Sequence, residues 1–69
     1  MEIIFAEQLK QLRRGMAITQ KQLACALETT QRNISYFETG QVEPDLTMLW
    51  KIADFFGVSI DFLIGRKDY

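Results

Sequence analysis

No histidine occurs among the 69 residues, and that absence removes the commonest general base and the commonest metal ligand together. The single cysteine, Cys25, excludes an internal disulfide and has no histidine to activate it as a nucleophile, so it reads as a small helix residue. The four glycines form no phosphate-cradling loop. The chain is therefore expected to be no enzyme and to bind no metal, cofactor or small-molecule ligand. It lacks an apolar run of about 18 residues and a secretory leader pattern, which predicts neither a membrane span nor export. A lone thiol fits the same reducing, cytoplasmic setting. Neither sign of charge dominates, with 8 Lys+Arg against 9 Asp+Glu. Repeats, linkers and strand-like alternation are missing too. One domain over residues 1–69 is expected, without crosslinks and with a core too small to enclose a substrate cleft.

What is present is helical punctuation, densest over residues 19–40. Thr19 and Gln22 have the spacing of a capping box, with Ile18 and Leu23 at the staple positions around it. A helix follows over 20–27, and Leu23, Ala24 and Leu27 give it a narrow apolar stripe. Thr30 caps a second helix over 31–39, which buries Ile34 and Phe37 and closes at Gly40. The other face of this helix then carries Gln31, Arg32, Ser35 and Tyr36. A polar stripe is ordinarily a solvated surface, but a short helix that leads with Gln and Arg is suited to reading base edges. Two features favour the second use. Ala24 is small enough to let two helices cross closely at a four-residue corner. Charge is also uneven: residues 10–32 hold Lys10, Arg13, Arg14, Lys21 and Arg32 against Glu28 alone, a local balance of +4, and the remainder is −5. A basic face on an acidic body is what local phosphate binding requires.

The flanking segments read as three more helices. Phe5, Leu9, Leu12 and Met16 mark a stripe on a first helix over 2–14, ended by Gly15. Asp45 after Pro44 caps a fourth helix with Leu46, Leu49, Ala53 and Phe56 on its inner face, Ile52 beside them, and Gly57 at its end. Ser59 caps a short fifth helix over 60–64, stopped by Gly65.

The motifs Thr-Gln-x-x-Leu-Ala, Ile-Ser-x-Phe-Glu-x-Gly, Pro-Asp-Leu, Ile-Ala-Asp-Phe-Phe-Gly-Val-Ser and Leu-Ile-Gly-Arg fall in register across about residues 5–66. Together they resemble the Cro/repressor (Xre-type) helix-turn-helix family, and most of all the phage-type repressors of Gram-positive bacteria, whose DNA-binding domains often end in a similar Gly-Arg-x-Asp. The resemblance implies an all-α, compact five-helix lambda-repressor-like domain that binds a double-stranded operator as a dimer, with helix 31–39 in the major groove. It places Gln31, Arg32 and Tyr36 where the family reads bases, with Ser35 and Asn33 at neighbouring positions. Gln20 falls where a glutamine meets phosphate and braces the recognition helix, and Thr19 and Arg13 fall near the backbone; Lys21, from the basic stretch, is a further phosphate candidate. Arg13 also matches a position that pairs with Glu38.

Three departures stand out. Glu28 replaces the glycine usual at the corner and is expected in a left-handed conformation. The loop Gln41-Val42-Glu43 lacks the basic residues that often touch phosphate. Tyr36 stands where a smaller side chain is common. Trp50, Phe62 and Ile64 are apolar side chains beyond core needs and are the candidate homodimer interface. A restriction-modification controller or antitoxin is a DNA-binding variant of the same reading. An antirepressor or adaptor of the same fold, docking on protein rather than DNA, is the competing one.

Overall fold

The structure, a computed structural model, describes residues 4–66; Glu2 and Ile3 of the expected first helix, and Asp68 of the terminal motif, lie outside them. Five helices follow in order: α1 (Phe5–Gly15), α2 (Gln20–Ala26), α3 (Gln31–Thr39), α4 (Leu46–Phe56) and α5 (Ile60–Leu63). No strand occurs among the described residues.

Local chemistry accounts for most of the boundaries. Thr19, Thr30, Asp45 and Ser59 each accept a hydrogen bond from the backbone N–H three residues on, at the starts of α2, α3, α4 and α5. Such caps contribute about 1 kcal/mol each. At Thr19 the box is reciprocal, because Gln22 Oε1 accepts from the Thr19 N–H at 2.8 Å. α3 and α4 end at Gly40 and Gly57 with φ of 80° and 67°, a region glycine enters without a Cβ clash.

Every helix contributes one fully buried side chain to a common core: Leu9, Leu23, Ile34, Ile52 and Leu63. Phe5 and Phe37 meet edge to face, with centroids 6.3 Å apart, where α1 packs on α3. α2 also packs on α3, and α5 packs on both α4 and α1. Gln8 Nε2 donates to the Phe62 carbonyl at 3.1 Å, tying α1 to α5. Beyond α5, Gly65 lies so near Ile4 that an added Cβ would sit 2.5 Å from Ile4 Cγ1.

Several expectations are corrected. Leu46 is not on the inner face of α4 but 83% exposed; Met48 and Leu49 of the same turn pack against the core in its place. Ile52, expected beside the stripe, is its centre, with 0% exposure. Met16 lies one residue past α1 and is half exposed. α2 and α5 each stop one residue early, at Ala26 and Leu63. Ala17, between α1 and α2, has a φ of 57°, a left-handed residue that no glycine marks.

Candidate nucleic-acid interface

The corner joining α2 to α3 is built from residues 27–30. Glu28 adopts a φ of 59°, as its glycine-like position predicts, which costs a residue with a Cβ roughly 1–2 kcal/mol. The Thr29 N–H reaches back to the Ala24 carbonyl at 2.9 Å, closing the turn over α2. Ala24 is buried at the crossing, so the two backbones approach closely. The Glu28 carboxylate lies 3.6 Å from Lys51 Nζ on α4, an exposed pair with a contribution below about 1 kcal/mol.

The inner edge of α3 is held by a polar cluster. Glu38 is 5% exposed, and its carboxylate receives Arg13 Nε at 2.6 Å, Arg13 Nη2 at 3.0 Å and Gln20 Nε2 at 3.1 Å. Arg13 Nη1 donates to the Ile18 carbonyl at 3.0 Å. One carboxylate thus joins α1, α2 and α3. The hydrogen bond that Arg13 donates to Glu38 holds the Arg13 pKa above its already high value, against the opposing effect of burial. The guanidinium therefore stays cationic throughout the working pH range.

The outer face follows from helix geometry. At about 100° per residue, positions 31, 32, 35, 36 and 39 share one arc. Gln31 and Arg32 are exposed, and Ser35 and Tyr36 are half-buried beside them. Among the described residues, no hydrogen bond or ion pair engages the side chain of Gln31, Arg32 or Ser35. Thr39, on the same arc, went unnoticed in the sequence although it lies four residues from Ser35; its hydroxyl donates to the Tyr36 carbonyl at 3.3 Å. Asn33 is not brought together with this group. It sits on the flank of α3, where its Nδ2 donates to Thr29 Oγ1 at 2.9 Å.

The backbone-contact candidates also divide. Lys21 is exposed and unpaired among the described residues, next to Thr19, whose hydroxyl accepts from the Gln22 N–H at 3.0 Å. Gln20 is half-buried with its amide nitrogen committed to Glu38, and Arg13 is wholly engaged within the fold. The loop after α3 presents the acidic Glu43 and Asp45 instead of cations. Trp50, Phe62 and Ile64 do not share one recess. Trp50 is 62% exposed and borders a recess with Leu27 and Phe55, half-buried Phe62 borders another with Leu12 and Phe56, and Ile64 a third with Phe5 and Leu49.

Comparison with known proteins adds three findings. A family model described as helix-turn-helix matches residues 9–63. Over 88% of this chain, the sequence is 38% identical to the SPbeta prophage-derived HTH-type transcriptional regulator YonR of Bacillus subtilis, and over 93% it is 41% identical to the HTH-type transcriptional activator BcrR of Enterococcus faecalis. The chain spans 56% and 31% of the lengths of those two relatives. Among solved structures, the P22 c2 repressor in complex with a synthetic operator superposes with a TM-score of 0.86 at 22% identity, covering 91% of this chain and 96% of that one, a likeness of fold.

Proposed function

Because this chain belongs to the helix-turn-helix family, of the Xre type, we propose that it is a sequence-specific double-stranded DNA-binding transcriptional regulator. Its finer role is that of a cytoplasmic repressor of phage or mobile-element type, occupying a palindromic operator as a homodimer with α3 in the major groove. One observation carries the reading: α3 is bolted on its inner edge to α1 and α2 by a buried three-donor carboxylate, while on its opposite arc Gln31, Arg32 and Ser35 have no side-chain partner among the described residues. Rigid placement on one side and unsatisfied polar groups on the other is what base readout needs.

Within this proposal Arg32 and Gln31 take bases by paired hydrogen bonds, Ser35 and Tyr36 contact their neighbours, and Thr39 meets the far edge of the groove. Asn33 supports the corner through Thr29. Lys21 and Thr19 take phosphates, with the outward end of Gln20 adjoining them. Arg13 contributes by positioning α3 through Glu38 rather than by touching DNA. The dimer forms through the α5 end, around Phe62 and Ile64. The prophage-derived relative supports a phage-type origin. An activator also stands among the relatives, so a promoter–reporter assay decides the sign, with a fall in expression expected.

Selection of bound sites from a pool of random duplex DNA tests the proposal. An enriched palindrome supports it. A pool that stays featureless overturns it in favour of a protein-docking module, a reading that the acidic Glu43 and Asp45 after α3 would then favour.

A further inference from the structure

The outward side of α4 is less polar than its exposure warrants. Leu46 and Trp50, one turn apart, are 83% and 62% exposed, the two most exposed large apolar side chains described. Neither belongs to the arc of α3 or to the α5 end. The Trp50 ring borders a shallow recess of about 180 Å³ whose floor is Leu27 and Phe55 and whose rim carries Glu28, Lys51 and Asp54. Lys51 is paired with Glu28, which leaves Asp54 as the uncompensated charge of the rim. Asp45, exposed at the N-terminal end of α4, brackets Leu46 on the other side. At about 1.5 Å rise and 100° per residue, Asp45 and Asp54 are about 14 Å apart along α4 and half a turn apart around it, flanking the apolar strip from opposite sides, with Asp45 Oδ1 also capping the Met48 N–H.

We infer that the Leu46–Trp50 strip is a docking surface for a partner protein segment that carries apolar side chains bracketed by lysine or arginine, engaged while α3 is free to hold DNA. Charge selects this occupant. A nucleic acid or an anionic membrane would meet Asp45 and Asp54 as like charges. A second copy of this chain laid across the same strip would set the same carboxylates against each other, and like charges facing at an interface disfavour that pairing. A basic segment is complementary at both ends, and its apolar residues cover Trp50, the residue type most often an energetic anchor. Peptide docking stands apart from the DNA-binding reading, since it uses a different helix face and different residues; only the simultaneous hold on DNA rests on that reading.

Panning a phage-displayed library of random 16-residue peptides on the immobilised 69-residue chain tests it. The expected result is enrichment of sequences with apolar residues flanked by Lys or Arg. A synthetic peptide of the enriched sequence should shift the emission of Trp50, the chain's only tryptophan, to shorter wavelength in a saturable manner. Asp54→Lys should weaken the peptide at least tenfold and leave duplex DNA binding within twofold. Leu46→Ser, at a position outside the core, provides a second variant that folds whatever becomes of Trp50→Ala, and circular dichroism verifies each. Enriched peptides without flanking cations, or binding indifferent to both Asp54→Lys and Leu46→Ser, would overturn the inference. Failure to enrich any sequence would do the same. An emission shift that follows protein concentration without peptide would assign the strip to a second copy instead.

Discussion

Arg32 and Glu28 lie four residues apart and have opposite relations to their surroundings. The Arg32 guanidinium is exposed on the second residue of α3, where a fork of donors can take O6 and N7 of one guanine. Arg32→Ala should cost about 1–3 kcal/mol at the operator and relax preference at one base position, read by competition between operator and random duplex. Lys21→Ala should weaken both duplexes alike and reduce the salt slope of binding by about 1. Equal losses on the two duplexes for Arg32→Ala would remove it from base reading. Glu28 is strained by its φ of 59° and tied only loosely to Lys51. Glu28→Gly relieves roughly 1–2 kcal/mol of strain but adds up to about 1 kcal/mol of unfolded-state entropy and removes the weak pair. A slight rise in melting temperature with DNA binding intact is expected; marked destabilisation would contradict the strain. Glu28 was legible through the family resemblance, which puts a glycine at that corner. Ala17, equally left-handed, was not, because nothing in the residues 15–18 distinguishes the one that turns.

The element at issue is α3, and its orientation rests on Glu38. Removing one partner of a buried pair strands the other, which costs about 3–5 kcal/mol, far more than a surface bridge. Arg13→Ala should therefore lower stability by about that much. Thr30→Ala, which removes only the cap at the Asn33 N–H, should cost about 1 kcal/mol. Denaturant midpoints compare the two, and a loss below about 1 kcal/mol for Arg13→Ala would reduce the bridge to a surface contact. Helix starts were the most legible feature of this chain, because a cap is decided within four residues. The buried stripes of α2 and α3 were legible for the same local reason. Which end of a stripe stays buried was not. Leu46 and Met16 have the correct spacing yet stay exposed, and that depends on how helices distant in sequence assemble. The Arg13–Glu38 pair was reached through family resemblance, since a separation of 25 residues has no local signature. The outward arc of α3 was largely readable from its period, which nevertheless admitted Asn33 and passed over Thr39.

For the molecule as a whole, one recognition helix spans too few base pairs to specify an operator, so the palindrome expected from site selection should have half-sites about 10 base pairs apart, one turn of DNA. Phe62→Glu, at the α5 end, should abolish cooperative occupancy while leaving half-site contacts. A footprint over one half-site, without cooperativity in the unaltered protein, would refute the dimer. A different consequence attaches to the contact between α1 and the far end of the chain. α2 packs on α3 and α4 on α5, neighbours in sequence, but α1 reaches further along the chain: Gln8 meets the Phe62 carbonyl across 54 residues, and Ile4 packs where a Gly65 side chain would be. Closing so long a loop is the slowest conformational search available to the chain. The contacts of Gln8 and Ile4 with residues 62–65 are therefore expected to close after the α2–α3 unit has formed and to open before it. Gly65→Ala, placed at a φ of 85° against Ile4, should raise the unfolding rate several-fold and barely change the folding rate. Amide exchange in the first turn of α1 should quicken with it, ahead of α2 and α3, so the helix that reads DNA would outlast the clasp that completes the fold.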